Sequence, residues 1–271
     1  MKILPTFLLL GMLGVVATGV SAAAQENEPS EELAKELVNP VADLVSVPFQ
    51  FNYDQNIGPT EDGSQWRLNI QPVIPFHLSE NWNLITRTIV PLIDQNDIPR
   101  QGQGESGFGD ILASQFFSPK KPTKGGWLWG AGPVWLLPSA SHTPLGSGKW
   151  GAGPTAVALK QVGPWTYGAL VNHVWSFAGD SDRPDVNATF LQPFLAYVTR
   201  TRTTISLNTE STYDWEAEQW SVPINLTVSQ MVRVGKMPLQ LGAGARYWAD
   251  SPDNGPEKWG LRAQVTFLFP K

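Results

Sequence analysis

The sequence predicts an all-β protein: a transmembrane, antiparallel up-and-down β-barrel of about 12 strands behind a short N-terminal periplasmic helix. Three observations predict it. The C-terminal segment places Trp259, Leu261, Ala263, Val265, Phe267 and Phe269 on one face and Arg262, Gln264 and Thr266 on the other, the pattern of a strand with lipid on one side and water on the other. The N-terminus reads as a secretory signal. Tight turns alternate along the chain with longer polar loops, as they do in membrane barrels.

The leader comes first. Lys2 supplies a positive start, Leu4 to Val20 an apolar stretch, and Ala22-Ala23-Ala24 a small-residue cleavage site before Gln25, so residues 1–24 are expected to be removed on export. Residues 25–43 then form a periplasmic segment and 44–271 the barrel, with no linker dividing it. Ser30 before Glu31 and Glu32, with Leu33, Ala34 and Leu37 behind and Asn39-Pro40 as a stop, predicts a short helix. Its expected place is beside the barrel; the alternative is a plug entering the lumen. No later apolar run reaches the roughly twenty residues of a spanning helix, so insertion must be by strands.

Alternation places strands at Leu44 to Tyr53, Gln65 to Leu78, Trp82 to Ile93, Gly109 to Phe117, Trp127 to Leu137 and Trp150 to Val162. Six more follow at Trp165 to Phe177, Asn187 to Thr199, Thr203 to Asp214, Trp220 to Val234, Met237 to Ala249 and Lys258 to Phe269. Tight turns at 79–81, 163–164, 200–202 and 235–236 alternate with loops such as 94–108 and 138–149. Prolines 48, 72, 75, 91, 133, 154, 193 and 223 fall inside these strands, where a ladder normally excludes a residue without an N–H.

Composition agrees. The chain has no cysteine, so no disulfide holds it, and its 12 tryptophans concentrate at strand ends: Trp66, Trp82, Trp127, Trp150, Trp165, Trp215, Trp220, Trp248 and Trp259 form two expected girdles at the membrane boundaries. The formal net charge of −5 and the lack of a basic cluster exclude nucleic acid as a partner. Lysines and arginines gather at the short turns, acidic residues in the long loops. Those acidic loops serve solubility or bridge through divalent cations to lipopolysaccharide. Outer-membrane lipid and lipopolysaccharide are the expected surroundings, and the C-terminal strand the expected signal to the barrel assembly machinery.

The polar faces of the strands are the candidate lumen lining: Gln50, Asn52, Arg67, Asn69, Gln71, Arg87, Asn208, Glu210, Asn225, Thr227, Gln240, Arg246, Arg262 and Gln264. The arginines among them could attract an anion, or pair with Glu210 and close the lumen. Catalytic and metal motifs fail. Gly102-Gln-Gly-Glu-Ser-Gly107 matches a dinucleotide fingerprint but lies in a loop. Ser139, Ser141 and His142 sit close in sequence without a group to orient them, and His77 and His173 are isolated. No cofactor and no enzyme activity are expected.

Asn39-Pro-Val-Ala-Asp-Leu-Val-Ser-Val-Pro-Phe-Gln50, Gln71-Pro-Val-Ile-Pro-Phe76, Trp82-Asn-Leu-Ile with Arg87-Thr-Ile-Val-Pro91, Gly107-Phe-Gly-Asp110 and Lys149-Trp-Gly-Ala-Gly-Pro154 resemble a family of bacterial outer-membrane proteins. Its members are described as transporters, some under an erroneous neuromedin U label, and are distantly similar to barrels named for the MetA pathway of phenol degradation. The resemblance implies a barrel and a transport role, and brings no functional residues with it. The expected function is passage of a small solute, unread in the sequence, through a narrow polar lumen. A barrel hydrolase and a closed structural or adhesive barrel are the alternatives.

Overall fold

The computed structural model describes residues 31–270; the expected leader, its cleavage site and the N-cap Ser30 lie outside them. One helix, α1 (Glu31–Val38), precedes a closed antiparallel barrel of 12 strands. These are β1 (Val45–Ile57), β2 (Gly63–Ile70, continued by Val73–His77), β3 (Trp82–Asn96), β4 (Ser106–Phe108, continued by Ile111–Pro119), β5 (Trp127–Leu137) and β6 (Lys149–Val162). Then come β7 (Trp165–Gly179), β8 (Asn187–Val198), β9 (Thr203–Thr209, continued by Ser211–Asp214), β10 (Gln219–Val234), β11 (Met237–Asp250) and β12 (Lys258–Phe269). Each strand pairs with its neighbours in sequence, and β12 closes the ring on β1 with Val45 opposite Phe269 and Asn52 opposite Arg262.

The period-2 alternation sets which side faces out. On β12, Trp259 is 60% and Leu261 62% exposed, whereas Arg262 is 4% and Thr266 0% exposed, so the apolar face is the outer one, against the logic of a soluble core. Leu207, Leu226, Val228 and Leu241 are likewise exposed on the outside. At the strand ends Trp66, Trp82, Trp127, Trp150, Trp165, Trp215, Trp220 and Trp259 are exposed, in the position of interfacial girdles. Trp248 is a correction to that set. It turns inward, donating from Nε1 to Asp54 Oδ1 at 2.8 Å, because it shares parity with Arg246 while Tyr247 takes the outer face against Trp259.

Tight turns join the strands at one end. Gly163 and Gly235 hold φ of 58° and 61° there, and a side chain at either would meet open space; the left-handed backbone of the turn, rather than crowding, calls for glycine. The expected loop 94–108 is shorter than the sequence suggests, because β3 runs on to Asn96 and Ser106-Gly107-Phe108 pairs back onto Asp94, Ile93 and Leu92.

The in-strand prolines have a geometric explanation at several positions. Pro72 sits in the break of β2, and the register of β10 slips between Val222 and Pro223. Pro133 and Pro154 face each other across β5 and β6. On their far sides the rungs lapse, between Ser114–Val134 and Phe117–Ala131 on β4, and between Ala152–Trp175 and Thr155–Asn172 on β7. A residue with no N–H is tolerated where no rung is owed. The glycines before them permit the local close approach: a Cβ at Gly132 would lie 2.1 Å from Gln115 O, and at Gly153 1.8 Å from His173 O. The repeated Trp-Gly-Ala-Gly-Pro segments thus build one paired irregularity in the wall.

The helix departs from its expected place beside the barrel. Ala34, fully buried, packs with Ala42 and Leu44 against Val198, Met231 and Leu268, while Val41 packs against Ile85, Phe116 and Leu159. These partners belong to β8, β10 and β12 on one side and to β3, β4 and β6 on the other, and all face inward. Segment 31–44 therefore lies within the mouth at the short-turn end. Gln161 Nε2 on β6 also donates to Lys35 O at 2.9 Å. The inner wall near that mouth is apolar, so entering it is how this segment buries its own apolar stripe.

Candidate functional site

The lumen has two unlike walls. Along β9 to β12 and round through β1 to β3, the inward positions are polar. Gln50, Asn52, Gln71, Asn225, Thr227, Gln240, Arg246 and Arg262 are buried, with Asn69, Arg87, Asn208, Glu210 and Gln264 half-buried and Arg67 exposed. The alternation of each strand predicts these positions, and the closure of β12 on β1 brings them together.

Across the lumen the wall carries large apolar residues that the sequence does not predict there, set among the buried Ser114, Ser118, Thr155, Thr166 and Asn172. Phe116 on β4, Val134 on β5, Val157 and Leu159 on β6, and Leu170 and Val174 on β7 point inward and are buried. β5 is apolar on both faces, and on β4, β6 and β7 apolar residues fall on both faces, so their alternation is a poor sign of which side meets water.

The centre of the polar wall is an ion pair. Arg262 donates from Nη1 and Nη2 to Glu210 Oε1 and Oε2 at 2.8 and 2.7 Å, and from Nε to Asn52 Oδ1 at 2.8 Å. Glu210 stands at the break of β9, its backbone N–H still donating to Pro223 O at 3.3 Å, and its side chain keeps the inward parity of Asn208. Arg246 Nε lies 3.5 Å from Asp54 Oδ1, with its guanidinium 4.5 Å from the Trp248 ring centre, so a carboxylate and a π face share one cation. Asn225 Nδ2 donates to Asn208 Oδ1 at 2.9 Å, and the Gln50 and Gln71 amides meet at 2.8 Å.

Arg67 and Arg87 are held differently. Arg67 donates to Gln65 Oε1 at 3.0 Å and Arg87 to Gln71 Oε1 at 2.7 Å. Among the described residues neither forms an ion pair within 4.0 Å. Pairing with Glu210 thus neutralises Arg262 and leaves these two cations in excess. Asp54 and Trp248 are site residues that the sequence does not announce; Asp54 continues the parity of Gln50 and Asn52 one residue beyond the predicted end of the strand at Tyr53.

Between the polar wall and the plug lies a cavity of about 250 Å³. Arg87, Arg262, Glu210, Gln50, Gln71 and Gln264 line it on the polar wall, with Val73 among them, and Glu36, Leu37 and Val38 of α1, with Leu170, Gln192 and Phe194, complete it. At the long-loop end, Asp110 accepts from Ala140 N, Ser147 N and Ser147 Oγ, and Arg183 donates to Gly146 O. Loop 138–148 is thereby tied across that end, with Leu145 buried. Both mouths are narrowed by the chain itself.

No catalytic constellation forms from the expected serine and histidine cluster. Ser139 Oγ donates to Gly109 O, Ser141 Oγ accepts from Phe108 N, and the nearest ionic partner of His142 is Glu105 at 3.9 Å. Gly102 to Gly107 leads into a strand segment, with no helix after it. His173 Nδ1 meets Thr189 Oγ1 at 2.7 Å on the outer face, and Trp215 Nε1 donates to the same hydroxyl at 2.9 Å. Nothing orients the imidazole from behind, for its buried Nε2 has no hydrogen-bond partner. Among the described residues no cluster of three or more His, Cys, Asp or Glu could hold a metal.

This barrel is similar to that of an outer membrane channel from Pseudomonas putida F1, with a TM-score of 0.66 at 13% identity, over 84% of this chain and 96% of that one. The NanC porin matches with a TM-score of 0.50 at 9% identity, over 84% of this chain and 100% of that one. Outer membrane phospholipase A from Escherichia coli matches with a TM-score of 0.50 at 11% identity, over 89% and 98%. No family model and no curated protein matches the sequence. At these identities the likenesses establish the fold, that of outer-membrane barrels, and leave the chemistry to the residues.

Proposed function

We propose that the protein is an outer-membrane channel that admits small anionic solutes through a narrow, two-walled lumen. One observation carries the reading: Arg67, Arg87, Arg246 and Arg262 face only Asp54 and Glu210 on the same wall, and Arg67 and Arg87 pair with neither at contact distance. A net positive lining lowers the barrier for anions and raises it for cations. On this reading the short turns and both termini lie in the periplasm, and segment 31–44 is a periplasmic stopper of the resting channel. Export through a cleaved leader, contact of the acidic loops with lipopolysaccharide, and delivery by the barrel assembly machinery belong to the same reading. The resemblance to a family of outer-membrane transporters, itself distantly similar to the barrels named for the MetA pathway of phenol degradation, belongs to it as well.

Planar-bilayer recording of the refolded protein under a KCl gradient tests it. The reversal potential should report chloride preference, diminished in Arg67→Gln and again in the double variant with Arg87→Gln, and weakened at high ionic strength because the lumen is wet. Cation preference, or a selectivity indifferent to both arginines, sinks the proposal. A second reading, a barrel hydrolase, draws on the outward His173 and Thr189 pair. It lacks the third group such a dyad needs, and is tested by phospholipid hydrolysis that Thr189→Val abolishes; the channel reading expects no hydrolysis.

A further inference from the structure

The cavity above the plug is bordered by uncharged polar side chains from several strands, which point to a ligand that ion preference does not name. We infer that it is a binding site for a neutral polyhydroxylated solute of monosaccharide size. Such a site goes beyond the anion-channel reading and does not depend on it. Which ions a lumen favours follows its total fixed charge, whereas what it retains follows the groups gathered at one place.

Open hydrogen-bonding capacity comes first. Ser46 on β1, Gln192 on β8, Ser206 on β9, and Thr227 and Ser229 on β10 border the cavity. Among the described residues none of these five side chains has a hydrogen-bond partner, and Ser46, Thr227 and Ser229 are buried. Buried polar groups are met by protein or by what lies against them, so the partners of these five must come from what fills the cavity.

Register gathers hydroxyls into one patch. Ser206 stands opposite Thr227, and Thr204 opposite Ser229, on successive inward rungs of β9 and β10. Such positions lie about 5 Å apart across the strands and about 7 Å apart along them, the spacing over which one sugar ring spreads its hydroxyls. On β11 the same rungs carry Gly244 and Gly242. A Cβ at Gly242 would lie 2.5 Å from Ser229 Oγ, so glycine there leaves that hydroxyl uncovered.

Charge favours a neutral occupant. Arg87 and Arg262 share the border with Glu36 and Glu210, two charges of each sign, and neither an anion nor a cation finds a net complement. Hydroxyls and amides both donate and accept, as the hydroxyls of a sugar do, and the carbon-bound hydrogens of its ring can meet Phe194 and Leu170 at the same border. A wholly apolar solute would strip water from the five open groups and return nothing. The volume of about 250 Å³ equals roughly eight water molecules at about 30 Å³ each, or on the order of ten bonded non-hydrogen atoms. One monosaccharide ring fits that space and two do not.

Saturation-transfer NMR on the full protein in nanodiscs of deuterated lipid, blanked against empty nanodiscs, tests the site. Glucose, galactose, mannose and myo-inositol are the probes; cyclohexanol and gluconate control for lost hydroxyls and added charge. At least one of the four polyols should bind about tenfold or more tightly than either control, because an analogue without the hydroxyls leaves the polar groups of the site unpaired. The double variant Ser206→Ala with Ser229→Ala should lose about tenfold for that polyol, the contribution of two neutral hydrogen bonds, and each single variant about threefold. Heat-modifiable mobility on gels confirms a folded barrel, and the single variants decide the matter if the double one does not fold. Polyols that bind no better than the controls, or as well to the folded variants as to the parent, overturn the assignment. The two readings fail separately: chloride preference without polyol binding keeps the channel and removes this site, whereas polyol binding without chloride preference keeps the site and removes the anion reading.

Discussion

Arg262 and Glu210 form the contact on which the polar wall turns, since a bidentate pair buried this deeply leaves an unpaired charge when either partner is cut. Glu210→Ala should therefore lower stability by about 3–5 kcal/mol, read as an earlier midpoint in urea unfolding from lipid vesicles; a shift no larger than that of Glu216→Ala, on an exposed loop, would show the pair to be idle. Outside the membrane the electrostatics are milder. The Lys149 ammonium, 2.9 Å from Asp185, and the Ser176 hydroxyl hold the Asp185 carboxyl below its ordinary range. A depressed carboxylate pKa means a contribution present above the unfolded value and lost as pH falls through the folded one. Loop 180–186 should thus loosen only below about pH 4, seen as faster amide exchange at Val186 after correction for intrinsic rates, and Asp185→Asn should remove that step. At this scale the sequence shows which residues face inward but not which of them meet. Asn52 and Arg262 lie at opposite ends of the chain and touch only because β12 closes on β1. Trp248 shows the cost of reading residue type before parity: its indole suggested an interface, while its place two residues after Arg246 put it in the lumen.

Strand identity was legible almost throughout because turns and alternation fix both ends, and β12 spans Lys258–Phe269 as the pattern predicts. Less legible were the breaks in β2, β4 and β9, which arise where a proline, a glycine or a side chain bound across the lumen interrupts the ladder. Gly153 marks a lapse of another kind, where β6 stays continuous but loses its rungs to β7. With a Cβ only 1.8 Å from His173 O, Gly153→Val should force β6 and β7 apart and reduce the yield of heat-modifiable barrel on refolding, whereas Gly163→Asn should be tolerated, because asparagine adopts positive φ readily. The helix was legible as a helix and not as a plug: its amphipathic pattern fits any apolar surface, and the surface that receives it is assembled from six strands distant in sequence. Ala34 has no room and no polar partner, so Ala34→Glu should expel segment 31–44 without disturbing the wall. Conductance should rise with the barrel fold unchanged. A variant that conducts as the parent does would show that the segment does not obstruct the path.

At the scale of the whole molecule, the fold follows from one inversion: apolar residues outside, polar residues on half of the inside. The half that was legible is the half where the two faces differ most, β9 to β12 and β1 to β3; along β5 to β7 apolar residues stand on both faces, with Thr155, Thr166 and Asn172 among the few buried polar marks of the inner one. That inversion makes a depth-dependent prediction that separates a membrane barrel from a soluble one. Leu226, 51% exposed, lies midway along β10 and should stand at the bilayer midplane, where an arginine costs roughly 2–4 kcal/mol; Val234, 65% exposed, closes the same strand at the short-turn end, where the cost falls to roughly 0–1 kcal/mol. Both sites are more than half exposed on the outer face, so the comparison is one of depth rather than of core packing. Unfolding equilibria of Leu226→Arg and Val234→Arg in phospholipid vesicles should differ by that amount, and lengthening the acyl chains should move Val234→Arg toward Leu226→Arg as the hydrocarbon thickens over the strand end. Two variants of equal stability in every lipid would mean that the exposed apolar belt meets water or protein instead, and the outer-membrane placement would fall with it.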